Sequence, residues 1–192
     1  MEKNLKKRLA LALLLCICIC ALVPGTAAYF TATGTARNTV TAGNIQIELV
    51  ETALTPGGDT VPFENAVGVM PGSTVSKIVQ VKNTGAQNAY VRVRLEKNLR
   101  LAPGTAGEVD PSLVSCAVNT SAWTQSGDYY YYNSALTPGA LTPPLVTEVR
   151  FSPAMGNAYQ NAVMEIIVHA AATQTANNGA SALAAAGWPA DT

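Results

Sequence analysis

The stretch Ala89–Glu96, "AYVRVRLE", decides how the fold is read. Ala89, Val91, Val93 and Leu95 alternate with Tyr90, Arg92, Arg94 and Glu96. Successive side chains leave a strand on opposite faces, so the pattern is that of a strand with one face in a core and the other turned out. The same alternation recurs on either side of it. "NIQIELV" sets Ile45, Ile47 and Leu49 against Gln46 and Glu48. "STVSKIVQVKN" alternates Val75, Lys77, Val79 and Val81, with Ile78 intruding. "DYYYYN", the alternating "LVTEVRF" and the more fully apolar "AVMEIIVHA", read as a central strand, follow. Between them, "LTPGG", "NTGAQN", "LAPGTAG", "LTPGALTPP" and "SPAMGN" supply the Pro and Gly that turns require. Short strands punctuated in this way predict an all-β chain, a single antiparallel β-sandwich. The tail "QTANNGASALAAAGWPADT" predicts a short C-terminal helix, with Ser181 as N-cap, Gly187 as stop, Pro189 beyond and Leu183 and Trp188 packing it on the sandwich.

The N-terminal end is built differently. "MEKNLKKR" is basic, "LALALLLCICICALV" is continuously apolar, and "PGTAA" ends in small residues. These are the three parts of a secretory signal peptide. The apolar run is shorter than the ~20 residues of a spanning helix, and no basic stop-transfer patch follows. Cys16, Cys18 and Cys20 follow Leu15, Ile17 and Ile19 rather than a small residue, which argues against lipid attachment. The predicted organisation is a signal peptide over 1–28, cut between Ala28 and Tyr29, and one domain over 29–192. Removing the leader leaves eight bases against eleven acids, a net charge of −3. That balance argues against a nucleic-acid partner and against a membrane surface. Of the four cysteines only Cys116 remains, so no disulfide can form within the exported chain; it reads as a small buried hydrophobe.

Directly behind the predicted cut, Phe30, Ala32, Gly34, Ala36, Asn38 and Val40 alternate with Thr31, Thr33, Thr35, Arg37 and Thr39. This is a small, apolar face against a hydroxyl-rich one, the signature of a half-buried strand. It can complete its own domain's sheet or another copy's.

Catalytic constellations are scarce. The chain has one histidine, His169, so a zinc site with two imidazoles one helical turn apart cannot form. No G-x-S-x-G elbow is present. Glu96, Glu148 and Glu165 lie on alternating strands, where an outward charge explains them, and His169 reads as a structural or edge residue. No catalytic or metal-ligating residue and no cofactor is assigned. Tyr129, Tyr130, Tyr131 and Tyr132 could stack on sugar rings, although in a sandwich half of such a run belongs to the core. The sequon Asn119-Thr120-Ser121 matters only in a eukaryotic secretory pathway.

Taken in order, "GTAAYF", "NTVTAGNIQIEL", "PGSTVSKIVQVKNTGAQNAYVRVRL", "GDYYYYN" and "AAGWP" resemble the TasA/camelysin family. The resemblance implies a jelly-roll-type sandwich, export through a signal peptidase of SipW type, and a place in the extracellular matrix or on the surface of a Gram-positive-type bacterium. It also implies biofilm fibres whose partner is the chain itself, as a homopolymer, or related matrix proteins. Residues 29–42 would then be the donated strand, with Phe30, Ala32, Gly34, Ala36 and Val40 as its assembly face. Camelysin adds a metallopeptidase label, which the single His169 does not support. The acidic residue often found just after the family's aromatic pair is missing from "YFTAT".

Overall fold

The structure is a computed structural model that describes residues 30–39, as backbone, and 45–189. It contains eleven strands: β1 (Phe30–Thr39), β2 (Ile47–Leu54), β3 (Thr60–Pro62), β4 (Ala66–Val69), β5 (Thr74–Asn83), β6 (Ala89–Arg100), β7 (Val114–Val118), β8 (Trp123–Ser126), β9 (Tyr129–Tyr132), β10 (Val146–Phe151) and β11 (Val163–Gln174). Two sheets stack face to face, ordered β4-β1-β11-β6-β9-β8 and β3-β2-β5-β10-β7. The predicted all-β sandwich is therefore the observed architecture. From β4 onward the chain changes sheet at almost every connection, as jelly rolls do.

The core lies where the alternating patterns said it would. Ile45, Ile47 and Leu49 are buried from one sheet, Ala89, Val91 and Val93 from the other. Val79, Val81, Val146, Val149, Met164, Ile166 and Val168 fill the space between them. Trp123 is the largest wholly buried side chain, and its indole N–H donates to the Pro143 carbonyl at 3.2 Å. The crossing from β5 to β6 is tied by Asn83, which is fully buried. Its amide donates to the Gln87 and Leu136 carbonyls at 2.8 and 2.9 Å and accepts from the Gly85 N–H at 2.9 Å. Each buried polar atom of that side chain thus has a partner, as burial demands.

Three local expectations need correction. One pairing is parallel rather than antiparallel: β1 runs alongside β11, from Thr31 opposite Val163 to Thr39 opposite Ala171. The predicted C-terminal helix is absent; residues 181–184 form a turn. Asn178 is the physical reason. Its side chain accepts from the N–H groups of Gly179 and Ala186 at 2.9 and 2.8 Å, and donates to the Gln174 and Ala186 carbonyls at 2.9 and 3.1 Å. The segment is folded back on that amide, which takes the N–H and the carbonyl of Ala186 at the end of the predicted helix. Ser181 still caps locally, its hydroxyl accepting from the Ala184 N–H at 3.3 Å, and Gly187 still stops the turn at φ +69°. Leu183, expected to pack, is 49% exposed.

Candidate assembly strand and aromatic face

β1 lies between β11 and β4 in its own chain's sheet, and it packs over β2 of the opposite sheet. Its register positions separate cleanly. Ala32, Gly34, Ala36 and Asn38 stand opposite Met164, Ile166, Val168 and Ala170, which are at most 3% exposed. Thr33, Thr35 and Arg37 stand opposite Glu165, Ile167 and His169, whose side chains leave β11 on the other face. The small-residue series read from the sequence thus matches the core-facing series of its partner strand. On the other side β4 makes only two pairs, Phe30 with Val69 and Ala32 with Ala66, with a register shift between them. β11, by contrast, is fully paired along its far edge, from Val163–Arg100 to Gln174–Ala89. Val40 and the predicted cleavage pair Ala28 and Tyr29 lie outside the described residues.

The tyrosine run divides as alternation requires. Tyr130 and Tyr132 pack against the core, Tyr132 with its ring 5.4 Å from that of Trp123. Burial pushes the Tyr130 phenol above its ordinary value. Tyr129 and Tyr131 sit on the outer face, where the C-terminal segment crosses. The Arg92 guanidinium lies 4.0 Å from the Tyr129 ring centre and 4.9 Å from that of Trp188, and Trp188 meets Tyr131 edge-on at 5.8 Å. Tyr90 donates to the Gly179 carbonyl at 2.9 Å, and Arg92 to that of Pro189 at 3.0 Å. Tyr90 and Arg92, expected to face out, are therefore covered by the tail. One face of the Tyr129 ring, which sugar stacking would need open, is taken by Arg92.

His169 is not at an edge, since β11 has strands on both sides. Its Nε2 lies 3.3 Å from Glu96 Oε2, and Arg94 reaches the same oxygen at 3.5 Å. Asn98 donates to the other oxygen at 3.1 Å. The Asn98 hydrogen bond first, then that of His169, hold the Glu96 carboxyl below its usual value. Glu148 pairs with Arg150, and Glu165 with Arg100 at 3.5 Å, each an ordinary surface ion pair. Among the described residues no three His, Cys, Asp or Glu side chains stand close enough to hold a metal ion.

Cys116 is half-buried in a cleft of about 470 Å³ also lined by Lys97, Asp128 and Tyr130. Burial pushes its thiol up against the smaller pull of Lys97 and Lys77. The sequence reading overlooked a buried charge pair. Lys77, 1% exposed, places its ammonium 2.5 Å from Glu51 and 3.8 Å from the Phe63 ring centre. The signal was present: Lys77 is in phase with Val75, Val79 and Val81, and Glu51 with Ile47 and Leu49.

No protein-family model, curated protein or solved structure matches this chain.

Proposed function

We propose that the chain is a secreted structural subunit of extracellular matrix or surface fibres. It is a protein of the kind the TasA/camelysin resemblance implies, released by a signal peptidase of SipW type and assembled by exchange of β1. The observation that supports this most is the setting of β1. Ten residues at the N-terminal end of the domain fill a slot between β11 and the four-residue β4. A second copy carries the same strand and the same slot, so exchange replaces each ladder hydrogen bond with an identical one. The partners are further copies or related matrix proteins. The reading assigns no catalytic residue, no cofactor, no nucleic-acid partner and no stable membrane anchor after cleavage.

Electron microscopy of the concentrated mature protein tests it. Wild type should form filaments. Ala36→Trp enlarges the position opposite fully buried Val168, an overpacking that costs about 1–3 kcal/mol at each contact, and should shorten or abolish them. Thr35→Trp, opposite Ile167, should be tolerated. Wild type without filaments, or assembly indifferent to both changes, would sink the proposal. Chelator-sensitive proteolysis by the purified chain, lost in His169→Gln, would favour the peptidase alternative instead.

A further inference from the structure

Asn178 and Gly179 form the single Asn-Gly pair of the chain, and the C-terminal segment needs both residues. The Asn178 amide ties that segment together through its hydrogen bonds to Gln174, Gly179 and Ala186. At position 179 a Cβ would sit 2.3 Å from the Ala184 carbonyl oxygen, so only glycine fits. Asparagine before glycine is also the pair most prone to lose ammonia, because no side chain shields the glycine nitrogen from the amide carbon. We infer that Asn178 is a self-modifying latch. Its conversion to aspartate or isoaspartate releases the C-terminal segment and uncovers the arginine–tyrosine face of the sheet beneath.

The Gly179 nitrogen, giving up its proton, bonds to Asn178 Cγ. The Cγ–Nδ2 bond breaks, and that nitrogen leaves as ammonia with a proton. Solvent water then opens the cyclic imide at either carbonyl, giving aspartate or isoaspartate. In the docked segment this reaction is held back. The Gly179 N–H points at Asn178 Oδ1 from 2.9 Å, toward lone pairs in the amide plane, whereas attack on Cγ comes from above that plane. Nδ2, the leaving group, is held by the Gln174 and Ala186 carbonyls at 2.9 and 3.1 Å. Local opening frees both atoms. Afterwards the segment cannot close as before. A carboxylate only accepts hydrogen bonds, so it meets the Gln174 and Ala186 carbonyls oxygen to oxygen. Isoaspartate also places Cβ in the main chain, which moves the Gly179 carbonyl away from the Tyr90 hydroxyl that donates to it. Tyr90, Arg92 and Tyr131 then lose the cover of Gly179, Trp188 and Pro189. Loss of ammonia to solvent makes the change one-way.

Ageing of the purified full-length chain in mild detergent at neutral pH tests this. Peptide mapping by mass spectrometry locates the amide-to-acid change, and limited proteolysis follows the segment. Asn178 should convert at least about tenfold more slowly in the native chain than in urea. Trp188→Ala, which removes the ring seated on Arg92 and Tyr131, should speed the native reaction at least about fivefold. Converted molecules should be cut within residues 175–189 while unconverted ones stay intact. Asn178→Asp supplies the carboxylate without ageing and should be cut there from the outset, with the sheets still protected. An Asn178 that converts as fast in the native chain as in urea would overturn the inference. So would an Asn178 that stays intact in the native wild type and in Trp188→Ala while the chain in urea converts fully. Converted wild type as resistant to cutting as the unaged chain would overturn it without recourse to any variant.

Discussion

Lys77 is an ammonium group inside a β-sandwich, and Glu51 with the face of Phe63 keeps it there. A buried pair of this kind is poor evidence of net stabilisation, because two desolvation penalties offset most of the attraction. Removing one partner is a different matter. Glu51→Ala leaves the ammonium buried alone and should destabilise the fold by about 3–5 kcal/mol in urea unfolding. Lys77→Met combined with Glu51→Leu should recover most or all of that loss, and a double variant as unstable as the single one would contradict this account. At Cys116 the raised thiol value lowers the thiolate fraction at any given pH. Alkylation at pH 8 should therefore be slow in the native chain and fast in denaturant. The in-phase position of Lys77 was legible in the sequence, but the partner that makes it tolerable was not, since Glu51 lies 26 residues away on another strand.

Among the elements, the long alternating strands were the legible ones. β2, β5, β6 and β10 fall where period-2 patterning put them, because burial on one face fixes side-chain direction residue by residue, and β11 is the central strand that its more apolar run predicted. The tail was misread because its conformation depends on contacts that are distant or specific. A run of two turns cannot nucleate a helix unaided, and Asn178 together with the docking of Trp188 on Arg92 and Tyr131 dictates a folded-back strap instead. The Trp188 side chain is half-buried, so Trp188→Ala should cost about 1–3 kcal/mol. Much of that loss should come from the cation–π contact and the edge-on ring pair. Limited proteolysis should then nick the segment after Gln174, while the sheets remain protected. Loss of protection throughout the domain would mean that the strap is integral to the core.

For the molecule as a whole, the pairing of β1 with β11 joins residues some 130 positions apart. Contacts of such sequence separation form late, because the intervening chain must first be ordered. Hydrogen exchange should find the β1 amides opening ahead of those in β6 and β11, which are paired together over twelve residues. Uniform protection across β1, β6 and β11 would contradict this. The outer face of the same sheet carries a pH dependence of defined sign. A depressed Glu96 value stabilises the fold above the ordinary carboxylate range, and that contribution fades as pH falls through the lowered value. Glu96→Gln should accordingly flatten the acid limb of a stability–pH profile. The sequence could foretell a strand from Phe30 onward, but not that it runs parallel to its neighbour, because alternation fixes faces and carries no direction.

That direction matters for any polymer built by handing β1 from one copy to the next. Each subunit would give a strand from one side and receive one in a slot that accepts a single orientation. The resulting filament would be polar, with unequal ends: a vacant groove at one and an unused strand at the other. A synthetic peptide of residues 29–42 would then cap only the end that presents the groove. Halting growth there while leaving the opposite tip to elongate would show up as one-sided extension from labelled seeds.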